Sequence, residues 1–141
     1  MQPVRHLACA LLLTLALPAW AGNGSDDTYQ VSTAAAVLGV GGKGQASVTI
    51  AARKGWHLNP EAPLTLKLAV TPGLTVDKPK QGRSDLALST PSQARFEVGI
   101  TASEPGHKEI EAEASFVLCE ENACRPIKEH VTLRVDVKPA R

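Results

Sequence analysis

The feature that most constrains the fold is a period-two alternation of apolar side chains in the last third of the chain. The first run places apolar residues at Ile110, Ala112, Ala114, Phe116 and Leu118, between mostly polar neighbours. The second run repeats the pattern at Val131, Leu133, Val135 and Val137. Successive side chains of a strand point to opposite faces, so each run predicts a strand with one buried face. These two strands are the clearest structural prediction in the chain.

Shorter runs of the same kind occupy most of the preceding chain. They predict strands at residues 45–52, 64–70, 74–76 and 96–100, and an irregular first strand within 29–40. Residues 55–60 interrupt the pattern, and Pro60 and Pro63 exclude a central strand there. Residues 77–92 predict a long loop. Several turn-separated strands without an amphipathic helix predict one all-β domain over residues 29–138, an immunoglobulin-like antiparallel β-sandwich.

The amino-terminal 21 residues have the pattern of a secretory signal peptide. Arg5 precedes an apolar run, and Ala19 and Ala21 form a small-x-small cleavage site. The apolar run is too short to cross a bilayer of about 30 Å. We therefore expect export of a mature chain without a membrane span, with residues 22–28 as a flexible leader. The predicted location is the periplasm or another secreted compartment.

The charge balance gives no support for polyanionic partners. The chain has 15 Lys and Arg residues against 14 Asp and Glu residues, so neither nucleic acid nor an anionic membrane is an expected partner. The chain also lacks the motifs of serine hydrolases, zinc proteases and phosphate-binding loops. No cofactor is predicted.

Two cysteines remain once the signal peptide, with Cys9, is removed. Cys119 and Cys124 follow the first long strand, and two cysteines in an oxidising compartment form a disulfide. The bond closes a ring of only six residues, for which chain entropy predicts a stabilisation of about 2 kcal/mol. A disulfide that stabilises a β-sandwich normally links its two sheets instead. The position favours a local or chemical role, and a structural loop disulfide remains the alternative.

The charges beside the two cysteines differ. Glu120 and Glu121 adjoin Cys119 and disfavour its thiolate, whereas Arg125 follows Cys124 and favours its thiolate. Alternation from the buried Leu118 also turns Cys119 to the opposite face of its strand. Cys124 is therefore the candidate exposed, reactive sulfur.

A metal site is the weakest hypothesis for this pair. The mature chain keeps His57, His107 and His130, but none stands at a short offset from a cysteine. The spacing of the two cysteines is not that of a zinc knuckle. We predict no metal ligand, and a metal-binding periplasmic protein stays a third alternative. Trp56 and His57 form a possible binding spot, although Trp56 is at least as well explained as a core anchor.

The order of these features resembles a known family. Lys54-Gly55-Trp56-His57-Leu58-Asn59-Pro60 precedes an amphipathic strand, and Phe116-Val117-Leu118-Cys119 leads to Cys124-Arg125-Pro126. Over residues 45–137, the chain resembles the N-terminal periplasmic domain of the thiol:disulfide interchange protein DsbD. The resemblance implies an immunoglobulin-like domain with a cysteine pair between two late strands. It makes the chain a candidate thiol–disulfide oxidoreductase.

The resemblance also implies roles and partners. Cys124 would form mixed disulfides and Cys119 would resolve them, with electrons exchanged with a thioredoxin-like redox protein or a membrane electron donor. The family's cap segment corresponds to residues 77–85, where this chain has no Phe or Tyr, and its cysteines are one residue closer together. No thioredoxin-like domain follows in the sequence, so turnover is expected to need a separate partner. The alternative function is a non-catalytic binding or accessory domain.

Overall fold

The computed structural model describes Gly24 and residues 26–140. The predicted signal peptide, residues 1–21, lies outside the described residues, as do positions 22, 23 and 25 of the predicted leader. In chain order the strands are β1 (Tyr29–Ala34), β2 (Ala36–Gly39), β3 (Lys43–Ala52), β4 (His57–Leu58), β5 (Thr65–Val70), β6 (Leu74–Val76), β7 (Lys80–Gln81), β8 (Leu86–Ser89), β9 (Gln93–Ala102), β10 (Gly106–Cys119) and β11 (Cys124–Lys138).

The strands form two sheets that pack face to face. The first sheet has the order β1-β3-β9-β6, with β8 also paired to β9. The second sheet has the order β2-β11-β10-β5-β7, with β4 also paired to β10. The prediction of an all-β, immunoglobulin-like sandwich is therefore confirmed.

The core lies between the sheets and is filled by the apolar face of each predicted strand. Its largest fully buried side chains include Ile50, Leu66, Phe96, Phe116 and Leu133. These residues fall on the alternating positions that the sequence identifies, because a strand with one buried face must repeat its apolar residues every second position.

The predicted first strand is two strands that belong to different sheets. β1 pairs antiparallel with β3, whereas β2 pairs parallel with β11, and Ala35 separates them. The parallel pair is an exception to the predicted antiparallel arrangement. The break explains the lost alternation around Ala34–Ala36, because a strand that changes sheets must also change the face it buries.

The predicted loop at residues 77–92 contains more structure than expected. It holds β7, a 3₁₀ turn at Arg83–Asp85 and β8, which pairs with β9 through a register shift at Leu86 and Leu88. β11 likewise begins at Cys124, seven residues before Val131, the first residue of the predicted run. Strands of two residues such as β4 and β7 are too short for an alternation pattern to identify. The short strand predicted at residues 74–76 is present as β6.

Tyr29 ties the two sheets together at one end of the sandwich. Its ring meets Phe116 edge-on, with centroids 5.4 Å apart, and its hydroxyl donates a hydrogen bond to a carboxylate oxygen of Glu129. Burial, followed by the Glu129 carboxylate, raises the pKa of Tyr29 to about 12. β1 is thereby fixed to both strands of the long hairpin.

A matched pair of valine substitutions tests the assignment of the core. Val98 is fully buried in β9, whereas Val37 in β2 is 65 % exposed. We expect Val98→Ala to lower the free energy of unfolding by about 2–3 kcal/mol, through lost burial and a residual cavity. Val37→Ala should change it by less than about 0.5 kcal/mol. Urea unfolding measures both, and equal losses would contradict the described faces.

Tyr29 also predicts a stability change at high pH. A phenol with a pKa of about 12 in the folded state and 10.0 when unfolded binds its proton more tightly in the folded state. Its contribution to stability is thus complete below pH 10 and lost as the pH rises towards 12. Tyr29 is the chain's one tyrosine, so tyrosinate absorbance reports it alone. We expect Tyr29→Phe to flatten this part of the stability profile, and a native midpoint near the unfolded value would refute the burial argument.

Candidate functional site

The candidate site is the tip of the hairpin formed by β10 and β11. Each of the 14 residues of β10 pairs with a residue of β11, from Gly106 opposite Val137 to Cys119 opposite Cys124. Cys119 and Cys124 are joined by a disulfide, with their Cα atoms 4.0 Å apart. The turn beyond them is closed by the Glu120 amide, which donates to the Ala123 carbonyl at 2.8 Å.

The two sulfurs differ in exposure. Cys119 is only 5 % exposed, whereas Cys124 is exposed. Leu118 is fully buried in the core, and strand alternation turns Cys119 to the outer face of the second sheet. Cys124 is therefore the accessible member of the pair, as its neighbours in the sequence suggested. The catalytic roles assigned to the two residues remain predictions.

Strand β4 flanks Cys119 on the side away from Cys124. Leu58 lies opposite Leu118 and His57 lies opposite Cys119, and the Asn59 amide donates to the Val117 carbonyl at 2.9 Å. Directly opposite residues share a face of the sheet, with Cβ atoms about 4.5–5.5 Å apart. His57, Cys119 and Cys124 thus form a row across three neighbouring strands on the outer face.

A tight turn delivers His57 to this row. Gly55 has φ of 89°, a left-handed conformation that glycine adopts without steric cost, and the Trp56 amide donates to the Arg53 carbonyl at 2.9 Å. Trp56 is partly buried and packs against the core, as expected for an anchor. Offsets along the chain did not identify His57 as a neighbour of the cysteines, because the two are brought together only by strand pairing. The segment from Gly55 to His57 beside Pro60 was the only hint of its position.

Arg125 is engaged elsewhere. It pairs with Leu118, so its side chain starts on the inner face of the sheet, opposite to that of Cys124. Its guanidinium lies 3.1 Å from an Asp26 carboxylate oxygen and donates to the Thr28 hydroxyl at 3.1 Å. Hydrogen bonds from Thr28, with a smaller contribution from Arg125, lower the pKa of Asp26. Arg125 therefore offers the Cys124 thiolate less stabilisation than its sequence position suggests.

The segment that corresponds to the family's cap, residues 77–85, is attached to the second sheet away from the sulfurs. Lys80 and Gln81 pair with Lys67 and Leu66, whose partners on β10 are Glu113 and Ala114. Ala114 precedes Cys119 by five residues, about 17 Å along a strand.

Two other contacts connect the region of residues 77–92 to the site. Arg83 donates to the carbonyls of Asn59 and Ala62 at 2.7 Å each, which braces the chain after β4. The Leu58 amide donates to the Pro91 carbonyl at 2.8 Å. Pro91, rather than the expected cap, is thus the part of this region that reaches the strand beside Cys119.

A larger pocket lies at the other end of the hairpin. It encloses about 770 Å³ and is lined by residues that include Val37, Pro72, His107, Arg134 and Asp136. A shallower groove of about 300 Å³ lies beside the disulfide, where Pro63, Val117 and Pro126 form an apolar floor. We place the candidate site at the hairpin tip because the two cysteines lie there. The larger pocket has no cysteine among its described residues.

The remaining described residues add no metal centre. No group of three His, Cys, Asp or Glu side chains arranged for a metal occurs within residues 26–140 or at Gly24. His107 and His130 lie beside Asp136 and Glu113, at 3.3 and 3.6 Å. We also find, in this part of the chain, no helix with the length and apolarity that a bilayer crossing requires.

The difference in exposure predicts unequal alkylation of the reduced protein. Because a thiol reacts with iodoacetamide only when accessible and ionised, we expect Cys124 to be modified several-fold faster than Cys119. Peptide mass spectrometry after short exposures measures both rates. Alkylation in denaturant, where both thiols are accessible, provides the control. Equal native rates, or a faster Cys119, would contradict the described geometry.

Comparison with known proteins gives no family assignment. The chain matches no known protein family and no curated protein. Among solved structures, it is similar to AggA, the major subunit of aggregative adherence fimbriae type I of Escherichia coli, with 11% identity over 81% of this chain and 97% of that chain and a TM-score of 0.42.

Two further structures show a likeness at the same level. One is WR4, a C. elegans MSP family member, with 9% identity over 77% of this chain and 97% of that chain and a TM-score of 0.42. The other is a fragment of the S-layer protein SbsC, domains 4 and 5, with 14% identity over 79% of this chain and a TM-score of 0.41. This chain covers 51% of that fragment. We draw no functional argument from these scores, and the architecture rests on the strand pairings above.

Proposed function

We propose that this protein is a periplasmic thiol–disulfide exchange module that passes electrons through the Cys119–Cys124 pair to or from a partner protein. The observation that carries the proposal is the disulfide at the hairpin tip, with one exposed sulfur and one buried sulfur. Exchange proceeds by thiolate attack through a mixed disulfide, which requires an accessible sulfur and a second sulfur held nearby to resolve it.

The reaction follows from that asymmetry. A partner thiolate attacks the Sγ atom of Cys124, the Cys119–Cys124 bond breaks, and Cys119 leaves as a thiolate. A second partner thiol then attacks the partner sulfur of the mixed disulfide and releases Cys124. Two electrons and two protons pass to the pair, and the partner dithiol becomes a disulfide. The reverse sequence reduces a partner, and a thioredoxin-like protein or a membrane electron donor has the required dithiol chemistry.

The position of the bond supports a chemical role more than a structural one. The ring it closes gives about 2 kcal/mol of chain-entropy stabilisation, and both cysteines belong to a hairpin already held by 14 residue pairs. The bond joins neighbouring strands of one sheet, whereas a stabilising disulfide in a β-sandwich normally joins the two sheets. Its presence also fits an oxidising compartment, where such bonds persist.

A non-catalytic accessory domain is the second candidate function. An immunoglobulin-like sandwich with a disulfide is all that such a domain requires, and the burial of Cys119 fits a structural bond. In this case the disulfide would order the hairpin turn, and binding would take place elsewhere on the surface. The two candidates differ in the reduction potential of the bond.

The reduction potential is the decisive measurement. We expect equilibration with defined thiol buffers to give a value between about −120 and −270 mV, the range of known exchange proteins. A value below about −300 mV, typical of structural disulfides, would support the accessory domain instead. Two single variants test the roles of the sulfurs. Cys119→Ser should accumulate a mixed disulfide with a thioredoxin-like protein through Cys124, whereas Cys124→Ser should not.

The double variant Cys119→Ala/Cys124→Ala provides the matched control. It should remain folded with a loss of about 2 kcal/mol in unfolding free energy, and it should lose all exchange. If the double variant keeps partner binding and function in the cell, the accessory domain is the correct assignment.

A further inference from the structure

Among the histidines of residues 26–140, His57 alone is placed directly beside a cysteine by the strand pairing. The two residues are 62 positions apart in sequence, yet they face each other across β4 and β10 on the outer face of the sheet. Their Cβ atoms are therefore about 4.5–5.5 Å apart, within reach of an imidazole. His57 is exposed, so it exchanges protons freely with solvent, whereas Cys119 is 5 % exposed.

Cys119 needs such a neighbour when the disulfide opens. A thiolate released in a buried position is costly unless a proton or a positive charge compensates it. Glu120 and Glu121, which follow directly, add a repulsive contribution. The leaving sulfur is thus the one in the less favourable environment, and its stabilisation limits how readily the bond breaks.

The other charged groups near this point are engaged or remote. Arg125 is paired with Asp26, Arg53 donates to the Tyr29 carbonyl, and Arg83 donates to the carbonyls after β4. Lys128 lies beside Glu113, farther along β11. Lys54 is exposed in the turn before β4, and the neighbouring segment at residues 89–91 carries no ionisable side chain. Glu120 and Glu121 follow Cys119 directly and are exposed in the turn of the hairpin.

We propose that His57 donates a proton to Cys119 as its thiolate leaves, and so makes the exchange reaction dependent on pH. This inference rests on the proposed exchange function and specifies its regulation. In the forward step the imidazolium of His57 gives its proton to the Cys119 sulfur, leaving a neutral imidazole and a thiol. In the reverse step the neutral imidazole takes the proton back as Cys119 attacks the mixed disulfide.

The pH profile of reduction by dithiothreitol tests this without any protein partner. The rate constant, corrected for the thiolate fraction of the reagent, should fall in the wild type as rising pH removes the proton that the imidazole donates. In His57→Gln the corrected rate should be flat and roughly tenfold lower at acidic pH, the change that one nearby opposite charge produces. A purely structural role would instead lower the rate equally at every pH.

Two further variants complete the experiment. His130→Gln, on the same outer face beside Glu113, should keep the wild-type profile. His57→Lys carries a permanent charge and should remove the pH dependence while keeping a fast rate, which tests the proposal even if His57→Gln folds poorly. A flat wild-type profile, or a His57→Gln profile parallel to the wild type, would overturn the inference.

Failure of the inference and failure of the proposed function give different results. A wild-type profile of reduction by dithiothreitol that depends on His57, without any exchange with a thioredoxin-like partner, would leave the proton donation intact and refute the exchange function. A flat profile with efficient exchange to a thioredoxin-like partner would refute only the role of His57.

Discussion

The unbroken antiparallel pairing of β10 with β11 determines most of the structure. Because all 14 residues of β10 pair in one register, a single alternation sets which side chains enter the core and which face outward along the full length of the second sheet. A slip by one residue would exchange Leu118 with Cys119 and bring a charged face into the core. The packing of Phe116, Ile110 and Leu133 therefore fixes the position of the disulfide as well.

The site depends on this register and on a second, much weaker pairing. β4 contributes only two residues to the sheet, and its position is held by Leu58 in the core, by the Pro91 carbonyl and by the bracing Arg83. The strong hairpin places the sulfurs, while these few contacts place the histidine. The position of His57 beside the two cysteines therefore depends on β4, the part of this row that is held by the fewest contacts.

The long strands were predictable because each repeats its apolar residues at least three times. β3, β5, β9, β10 and β11 all contain such a run, and their inner faces follow from it. β4 and β7 were not predictable, since two residues show no period, and β8 pairs irregularly with β9. The short β6 was predicted from its two apolar residues. The change of sheet at Ala35 was visible only as a loss of pattern. The face of Cys119 followed from local alternation, and the choice of Cys124 as the exposed sulfur followed from the charges beside the two cysteines. His57 required a pairing across 62 residues that no local signal encodes.

The contact of Arg125 with Asp26 and Thr28 determines at which end of the sandwich β1 begins. It places the start of β1 at the same end of the sandwich as the cysteine pair, while the end of β11 at Lys138 lies at the far end of the hairpin beside Gly106. The chain ahead of Asp26 turns back along β1, since the Val31 amide donates to the Gly24 carbonyl at 2.7 Å. A bulky group fused after Lys138, at the end of the hairpin remote from the cysteines, would therefore leave the exposed sulfur open to large partners.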